Sequence, residues 1–470
     1  MDSGRRQITR VVACVLAVGW MAAGYAAEAY GQRPLPNIVF ILSDNQRWDF
    51  MGCAGHPFVA TPNLDRLASE GILFRNAFVT TSLCSPSRAS FLTGQYAHTH
   101  GVRNNLTPWN DQNQTFLELL KQAGYESAFI GKWHMPGRLP SLRGVDLFVT
   151  FTAQKGQGRY FDCPLVVDGV EIPSRKPYIT EELTDYALEF VSRPREGPFC
   201  LVLSHKAVHH RWLPPPDLVD LYQSDEPPFP REVNPLLFLT GGNLFEGLIG
   251  PPKALYRDYA RVVTSLDRQI GRLLERIDEM GIADNTVVVF ASDNGFLWGE
   301  HQRGGTGRWP YEESIRIPFI VRAPEMITNP GKRADQMVLN IDLAPSLLEM
   351  AGLPSPGAME GESFVPVLKS PSAPGREAWL YEYFADFPFR VPTTHAVRTN
   401  RYTYIEFEGR KGRELYDIEN DPTQSANLIH TQDGRRIAGE LKKVLDDMRE
   451  SDGPSDPTRE EAMPFDASMR

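Results

Sequence analysis

Cysteine is scarce in this chain. Five in 470 residues are too few and too scattered for the disulfide framework that holds small exported folds. No internal repeat of roughly 20–50 residues is present, so a solenoid or propeller is excluded. Beyond the N-terminus no apolar run reaches the roughly 20 residues that a membrane-spanning helix needs. Basic charge is also short, with 49 Lys and Arg against 59 Asp and Glu, a formal charge of −10. That balance argues against a generic nucleic-acid binder or a polybasic membrane binder. What is present points elsewhere. Aromatics reach 10% and apolar runs are frequent, which excludes disorder as the main state. Gly and Pro at 38 each imply many turns around packed elements. The length suits two or three domains, or one large α/β domain with an appendage, and the expectation is a large acidic enzyme.

The N-terminus qualifies this picture. Arg5, Arg6 and Arg10 precede an apolar stretch from Val11 to Ala27, and small residues follow at Ala27 and Ala29. Residues 1–29 thus have the layout of a secretory signal peptide, and a secreted or periplasmic protein is expected. As a membrane anchor the run is short and carries Gly19 and Gly24. Cleavage after Ala29 removes three arginines with Asp2 and Glu28, so the mature charge becomes −11. Cys53, Cys84, Cys163 and Cys200 remain.

Along the rest of the chain, buried strands alternate with helices. Asn37–Leu42, Ser127–Ile130, Phe199–Leu203, Thr286–Ala291 and Pro318–Val321 read as strands. Helices are expected after Thr61-Pro62, with Thr61 as N-cap, and over Gln114–Ala123, Glu181–Ser192 and Ala254–Met280. The pattern predicts an α/β fold, a mainly parallel sheet flanked by helices, over residues 30–353. The stretch 211–252 reads as a long surface loop. From 354 to 450 the aromatic-rich runs Trp379–Phe384, Thr394–Arg398, Tyr402–Phe407 and Glu414–Tyr416 predict a smaller antiparallel-sheet subdomain, closed by a helix near Arg435–Met448. Residues 451–470 read as a flexible tail.

The informative residues follow the buried strands. NIVFIL leads into Ser43-Asp44-Asn45, and TVVVFA into Ser292-Asp293-Asn294-Gly295. SAFI leads into Gly131-Lys132-Trp133-His134, and FCLVL into Ser204-His205-Lys206-Ala207-Val208-His209. Ligands of an open parallel sheet bind outside the carboxyl ends of its strands. Any one of these segments alone reads as a turn, a cap or solvated surface, but four delivered to one edge form a site. Two Asp-Asn pairs offer oxygen ligands, which suit Ca²⁺ or Mg²⁺ better than zinc. A nucleophile candidate lies in Cys84-Ser85-Pro86-Ser87-Arg88, with Cys84 at a predicted helix N-terminus and Arg88 one turn on, able to hydrogen-bond the group at 84. Read alone, Cys84 is equally a buried structural cysteine.

Cys-x-Pro-x-Arg, followed here by Ala89-Ser90-Phe91-Leu92-Thr93-Gly94, resembles the maturation signature of the type I, formylglycine-dependent sulfatases. The resemblance runs from about Asn37 to Leu428. It takes in Gly131-Lys132-Trp133-His134, Ser292-Asp293-Asn294-Gly295, Tyr311-Glu312-Glu313-Ser314-Ile315-Arg316 and Glu414-Leu415-Tyr416-Asp417. It implies an alkaline-phosphatase-like α/β fold and one bound Ca²⁺, with Mg²⁺ the lesser alternative. It also implies conversion of Cys84 to formylglycine by a maturation enzyme, whose hydrate attacks sulfur. Asp44, Asn45, Asp293, Asn294 and the residue at 84 would hold the metal, and Arg88 would steady the diol. Lys132 and His134 would contact the sulfate. His209 would serve as general acid to the leaving oxygen, with His205 and His210 as rivals.

Two departures from that family stand out. Many relatives have two acidic residues where this chain has Asp44-Asn45. Relatives also often place a lysine shortly before the Tyr-Glu-Glu segment, where this chain has Gly307; Arg303, Arg308 or His301 are the candidate substrate contacts nearby. The expected substrate is a sulfated small molecule or saccharide. Trp48, Trp109, Trp133, Trp212, Trp298 and Trp309 fall near the predicted rim, where they could stack on sugar rings or simply pack loops. A phosphonate or phosphodiester hydrolase, and a binding protein that lost the chemistry, are the alternatives.

Overall fold

The computed structural model describes residues 34–140, 142–229, 251–386, 389, 391–409 and 412–450. The expected signal peptide, most of the expected loop (230–250) and the tail from 451 lie outside them. Sixteen strands are described: β1 (Asn37–Ser43), β2 (Ile72–Phe78), β3 (Glu126–Gly131), β4 (Leu147–Thr150), β5 (Leu165–Val167), β6 (Val170–Ile172), β7 (Phe199–Ser204) and β8 (Thr286–Ser292). They continue with β9 (Leu297–Trp298), β10 (Gly304–Thr306), β11 (Phe319–Arg322), β12 (Lys332–Leu339), β13 (Ala378–Tyr383), β14 (Thr394–Thr399), β15 (Tyr402–Phe407) and β16 (Arg413–Asp417).

Ten strands form one sheet in the order β12-β2-β11-β8-β1-β7-β3-β4-β5-β6. β8, β1, β7, β3 and β4 run parallel. Their unbroken apolar runs follow from cover on both faces. Val39 and Ile41 of β1 point to one core with the Pro62–Ser69, Ile179–Val191 and Pro252–Glu279 helices. Ile38, Phe40 and Leu42 point to the other, with the Cys84–Thr93, Phe116–Gln122 and Leu343–Met350 helices. The alternation is the period-two rule applied to a strand with two dry faces.

Three details differ from the sequence reading. The run ending at Val321 is a strand of the large sheet but antiparallel to both β8 and β2. The chain between β8 and β11 holds β9, β10, a 3-10 turn at Glu300–Gln302 and one short helix, with no crossover to the far edge, so the next strand runs back. Thr61 precedes its helix as expected, yet its hydroxyl does not cap it; that hydroxyl accepts from Gly52 N at 2.8 Å. Most of the tryptophans are core residues: Trp133, Trp212, Trp298 and Trp309 are buried, and Trp109 packs edge-on against Trp133.

The four-stranded antiparallel sheet β13-β14-β15-β16 packs between two layers. Trp379, Tyr381 and Ile405 on one face meet Phe78, Leu83, Trp309 and Tyr311 of the large unit. Leu380, Val397, Tyr404 and Leu415 on the other meet the Gln432–Glu450 helix through Leu441 and Leu445. Among the described residues no helix is long and apolar enough to cross a membrane.

Candidate active site

Strand register brings the predicted segments to one level. Ser43 pairs with Ser292 across β1 and β8, while Leu42 and Gly131 both lie opposite Ser204. Backbone bonds carry this alignment past the strand ends, from Asp293 N to Ser43 O and from Asp44 N to Ala207 O. Gly131 permits the close approach of β3 and β7: at φ +117° a Cβ there would lie 1.8 Å from Ser204 O.

Cys84 opens its helix and is buried with its Sγ 3.8 Å from Asp44 Oδ1 and 4.0 Å from Asn45 Oδ1. Burial pushes the thiol pKa far up, against the opposing charge of Lys132. As a thiol, residue 84 is therefore a poor nucleophile. Arg88 lies one turn on, but its guanidinium is committed to Asp293, with Nε and Nη2 at 3.0 and 2.7 Å from Oδ2, and to Lys132 O and Ser204 Oγ. It reaches the residue at 84 through the carboxylates and not by a direct bond.

The two predicted Asp-Asn pairs converge beside Cys84. Asp293 Oδ1 accepts from Asn45 N at 2.9 Å, and Asn294 Nδ2 donates to Asn45 Oδ1 at 2.8 Å. Asn45 holds its place with φ +59°, a left-handed conformation that Asn tolerates better than most residues. Burial, then the charge of Asp44, push the Asp293 pKa up. Two buried carboxylates side by side call for cationic charge, and Asn294 Oδ1 is buried with no hydrogen-bond partner. An orphaned carbonyl oxygen beside two carboxylates and a second amide oxygen fits a hard divalent cation. A ring nitrogen of His209, a carboxylate oxygen of Asp44 and Cys84 Sγ lie within 4.8 Å of one another.

The opposite wall carries positive charge. Lys132 Nζ donates to Asp44 Oδ2 and, at 2.7 Å, to Gln157 Oε1. His134, at φ +60°, has an unpartnered Nδ1, and burial with the charges of Lys132 and Arg88 holds its pKa well down. His209 is likewise held low by burial, then by His210 and Lys132; its Nδ1 donates to His210 O. His205 is fully buried with neither ring nitrogen bonded, whereas His210 stacks on His209 and lines the cleft.

That cleft holds about 560 Å³, between Cys84, Asn45 and Asn294 at its base and Asn105, Gln157, Tyr160, Phe161, Lys206, His210, Arg308 and Phe389 around it. Of the three substrate candidates, Arg308 lines it, while Arg303 and His301 do not. Arg303 lies over Trp309 at 4.1 Å, and His301 stacks on Tyr311 at 3.8 Å facing Glu313. At Gly307 a Cβ would lie 2.5 Å from Asn294 Nδ2 and 2.7 Å from Gly295 O. A side chain there would displace the Asn294 amide. Sequence reading missed Gln157, Asn105 and Tyr160. The one available signal was the Gly156-Gln157-Gly158 turn, whose glycines both take positive φ.

Residues 36–353 match the Sulfatase family model, and residues 299–451 match the model for the C-terminal part of N-sulphoglucosamine sulphohydrolase. The N-acetylglucosamine-6-O-sulfatase of Bacteroides thetaiotaomicron is 30% identical, with 93% of this chain and 90% of that protein covered. An ulvan-active sulfatase of Formosa agariphila is 29% identical over 87% of this chain and 80% of its own length. A solved structure described as a complex with its substrate D-glucosamine-2-N,6-O-disulfate superposes with a TM-score of 0.82 at 30% identity, covering 91% of this chain and all of that one. The chain belongs to the sulfatase family of the alkaline phosphatase superfamily and is a sulfuric ester hydrolase.

Proposed function

We propose that this sulfatase acts on a sulfated saccharide, with 6-O-sulfated glucosamine units as the substrate class to test first. The convergence of Cys84, Asp44 and His209 at the base of a saccharide-sized cleft carries this reading. The names of the relatives add the amino sugar. Once Cys84 is converted to formylglycine, the hydrated aldehyde would supply the attacking hydroxyl that a buried thiol does not. Asp44, Asn45, Asp293 and Asn294, with residue 84, would hold a divalent metal, Ca²⁺ by its preference for carboxylate and amide oxygens, and its charge would polarise a sulfate oxygen.

The chain's own residues do the rest. Arg88 fixes Asp293, so the two carboxylates keep their spacing. Lys132 would place positive charge, and His134 a neutral ring nitrogen, against the sulfate where negative charge grows. His209 keeps a proton on Nδ1 through its bond to the His210 carbonyl, which leaves Nε2 free to take the proton released by the attacking hydroxyl and hand it on to the leaving oxygen. Arg308, held over Phe389 at 3.5 Å and paired with Asp386, reaches the sugar side of the cleft. Phe161 and Phe389, not the buried tryptophans, offer the aromatic faces. Residues 1–29 would direct export, and a formylglycine-generating enzyme would act on the Cys84 segment.

Parallel assays with 6-O-sulfated glucosamine and an aryl phosphodiester test the reading. Faster sulfate release is expected; faster phosphodiester turnover would make the protein a phosphodiesterase of the same fold.

A further inference from the structure

Lys206 stands immediately after β7, 3% exposed, on the wall of the cleft. Its ammonium donates to Gln157 O at 3.0 Å and lies 5.0 Å from the centre of the Tyr160 ring. No carboxylate forms an ion pair with it among the described residues. Asp44, the one carboxylate whose field reaches it, is already committed to Lys132 and Arg88. Gln157 therefore bridges two buried ammoniums, accepting from Lys132 on its side chain and from Lys206 on its backbone. Burial, then repulsion from Lys132, press the Lys206 pKa down to about 8.

Bringing a second buried cation up to a first, without a counter-charge, is unfavourable unless something anionic completes the arrangement. The free volume of the cleft is where that anion fits. His210 and His134 both feel the positive charges of Lys206 and Arg308, so these groups surround one space. We propose that Lys206 is a substrate-contacting residue whose ammonium binds the non-bridging oxygens of the sulfate group together with Lys132. This deepens the sulfate-ester reading, and it explains how charge is restored where Gly307 takes the place of a lysine. Gly307 cannot carry that lysine without displacing Asn294, whereas Lys206 enters from the neighbouring strand end.

The test uses matured, metal-loaded protein and inorganic sulfate as the probe. In Lys206→Met the melting temperature without sulfate is expected not to fall, because an unpaired buried charge is removed. The sulfate inhibition constant should rise on the order of tenfold to a hundredfold, and the sulfate-induced rise in melting temperature should largely vanish. Turnover should show a raised KM together with a lowered kcat. Lys206→Gln, which keeps a donor for the Gln157 carbonyl, serves if the methionine variant fails to fold. A variant that melts lower yet binds sulfate as the parent does would overturn the proposal and leave Lys206 as a packing residue. If the parent releases no sulfate from any ester, the functional reading fails, while sulfate binding by parent and variant still decides the role of Lys206.

Discussion

At the scale of single residues, the site is a balance of buried charges. Asp44 and Asp293 face Arg88 and Lys132, and each pair holds only while the others do. Replacing Arg88 with Met should destabilise the metal-free protein by about 3–5 kcal/mol, the cost of breaking a buried pair from one side. Added Ca²⁺ should recover part of that loss in a thermal melt, since the ion neutralises the same carboxylates. Gly307→Ala is expected to weaken divalent-ion affinity roughly 10- to 100-fold by pushing on Asn294, as disturbed support of a ligand commonly does. A calcium titration measures it; unchanged affinity would show that the amide of Asn294 is not a ligand. Cys84, Arg88, Lys132, His134 and the two Asp-Asn pairs were legible because each sits in a contiguous motif or directly after a buried strand. Gln157 and Phe389 were not, since each reaches the cleft from a loop, and Asp386 becomes meaningful only through Arg308, which it holds.

At the scale of elements, the strands with dry faces on both sides were legible as unbroken apolar runs. β2 and β12 were missed because charges interrupt them: Arg75 in β2 bonds Asp335 in β12, out at the sheet edge. The direction of β11 was illegible for a different reason, since composition does not record which way a strand runs. The small sheet does more than append itself. Tyr381 OH bonds Ser82 Oγ at 2.7 Å, two residues before Cys84, and Arg398 pairs with Glu312 at 2.9 Å inside the interface. Arg398→Met should lower stability by about 3 kcal/mol, because buried Glu312 then keeps only Arg316, 3.9 Å away, as a partner. Tyr381→Phe should cost only about 1 kcal/mol, though it frees the segment leading to Cys84. Urea denaturation separates the two, and equal losses would contradict this division of roles.

At the scale of the whole molecule, a net charge of −10 conceals a cationic wall in the cleft. With a Debye length of about 8 Å at physiological salt, a sulfated substrate inside the cleft senses that wall more than the acidic surface. Burial also keeps histidines neutral, with His100, His205 and His210 all pressed down to about 3. Burial raises Asp267 to about 6. On unfolding near pH 5 these three histidines each take up a proton and Asp267 releases one, a net gain of two, to which His56, His134 and His209, also held down by burial, add. Stability should therefore fall as the pH drops below the unfolded histidine value near 6.5, by at least about 3 kcal/mol per pH unit around pH 5. Denaturation midpoints at pH 7 and pH 5 test this; a flat profile would mean that these histidines are protonated in the folded protein.

Hydrolysis is expected to depend on residue 84 being changed from the thiol it encodes. Mass spectrometry of the peptide spanning Cys84, taken from protein with measured sulfate-ester turnover, tests it most directly. An aldehyde at position 84, in proportion to activity, is the expected result. A fully unmodified thiol in protein that hydrolyses sulfate esters at full rate would contradict it.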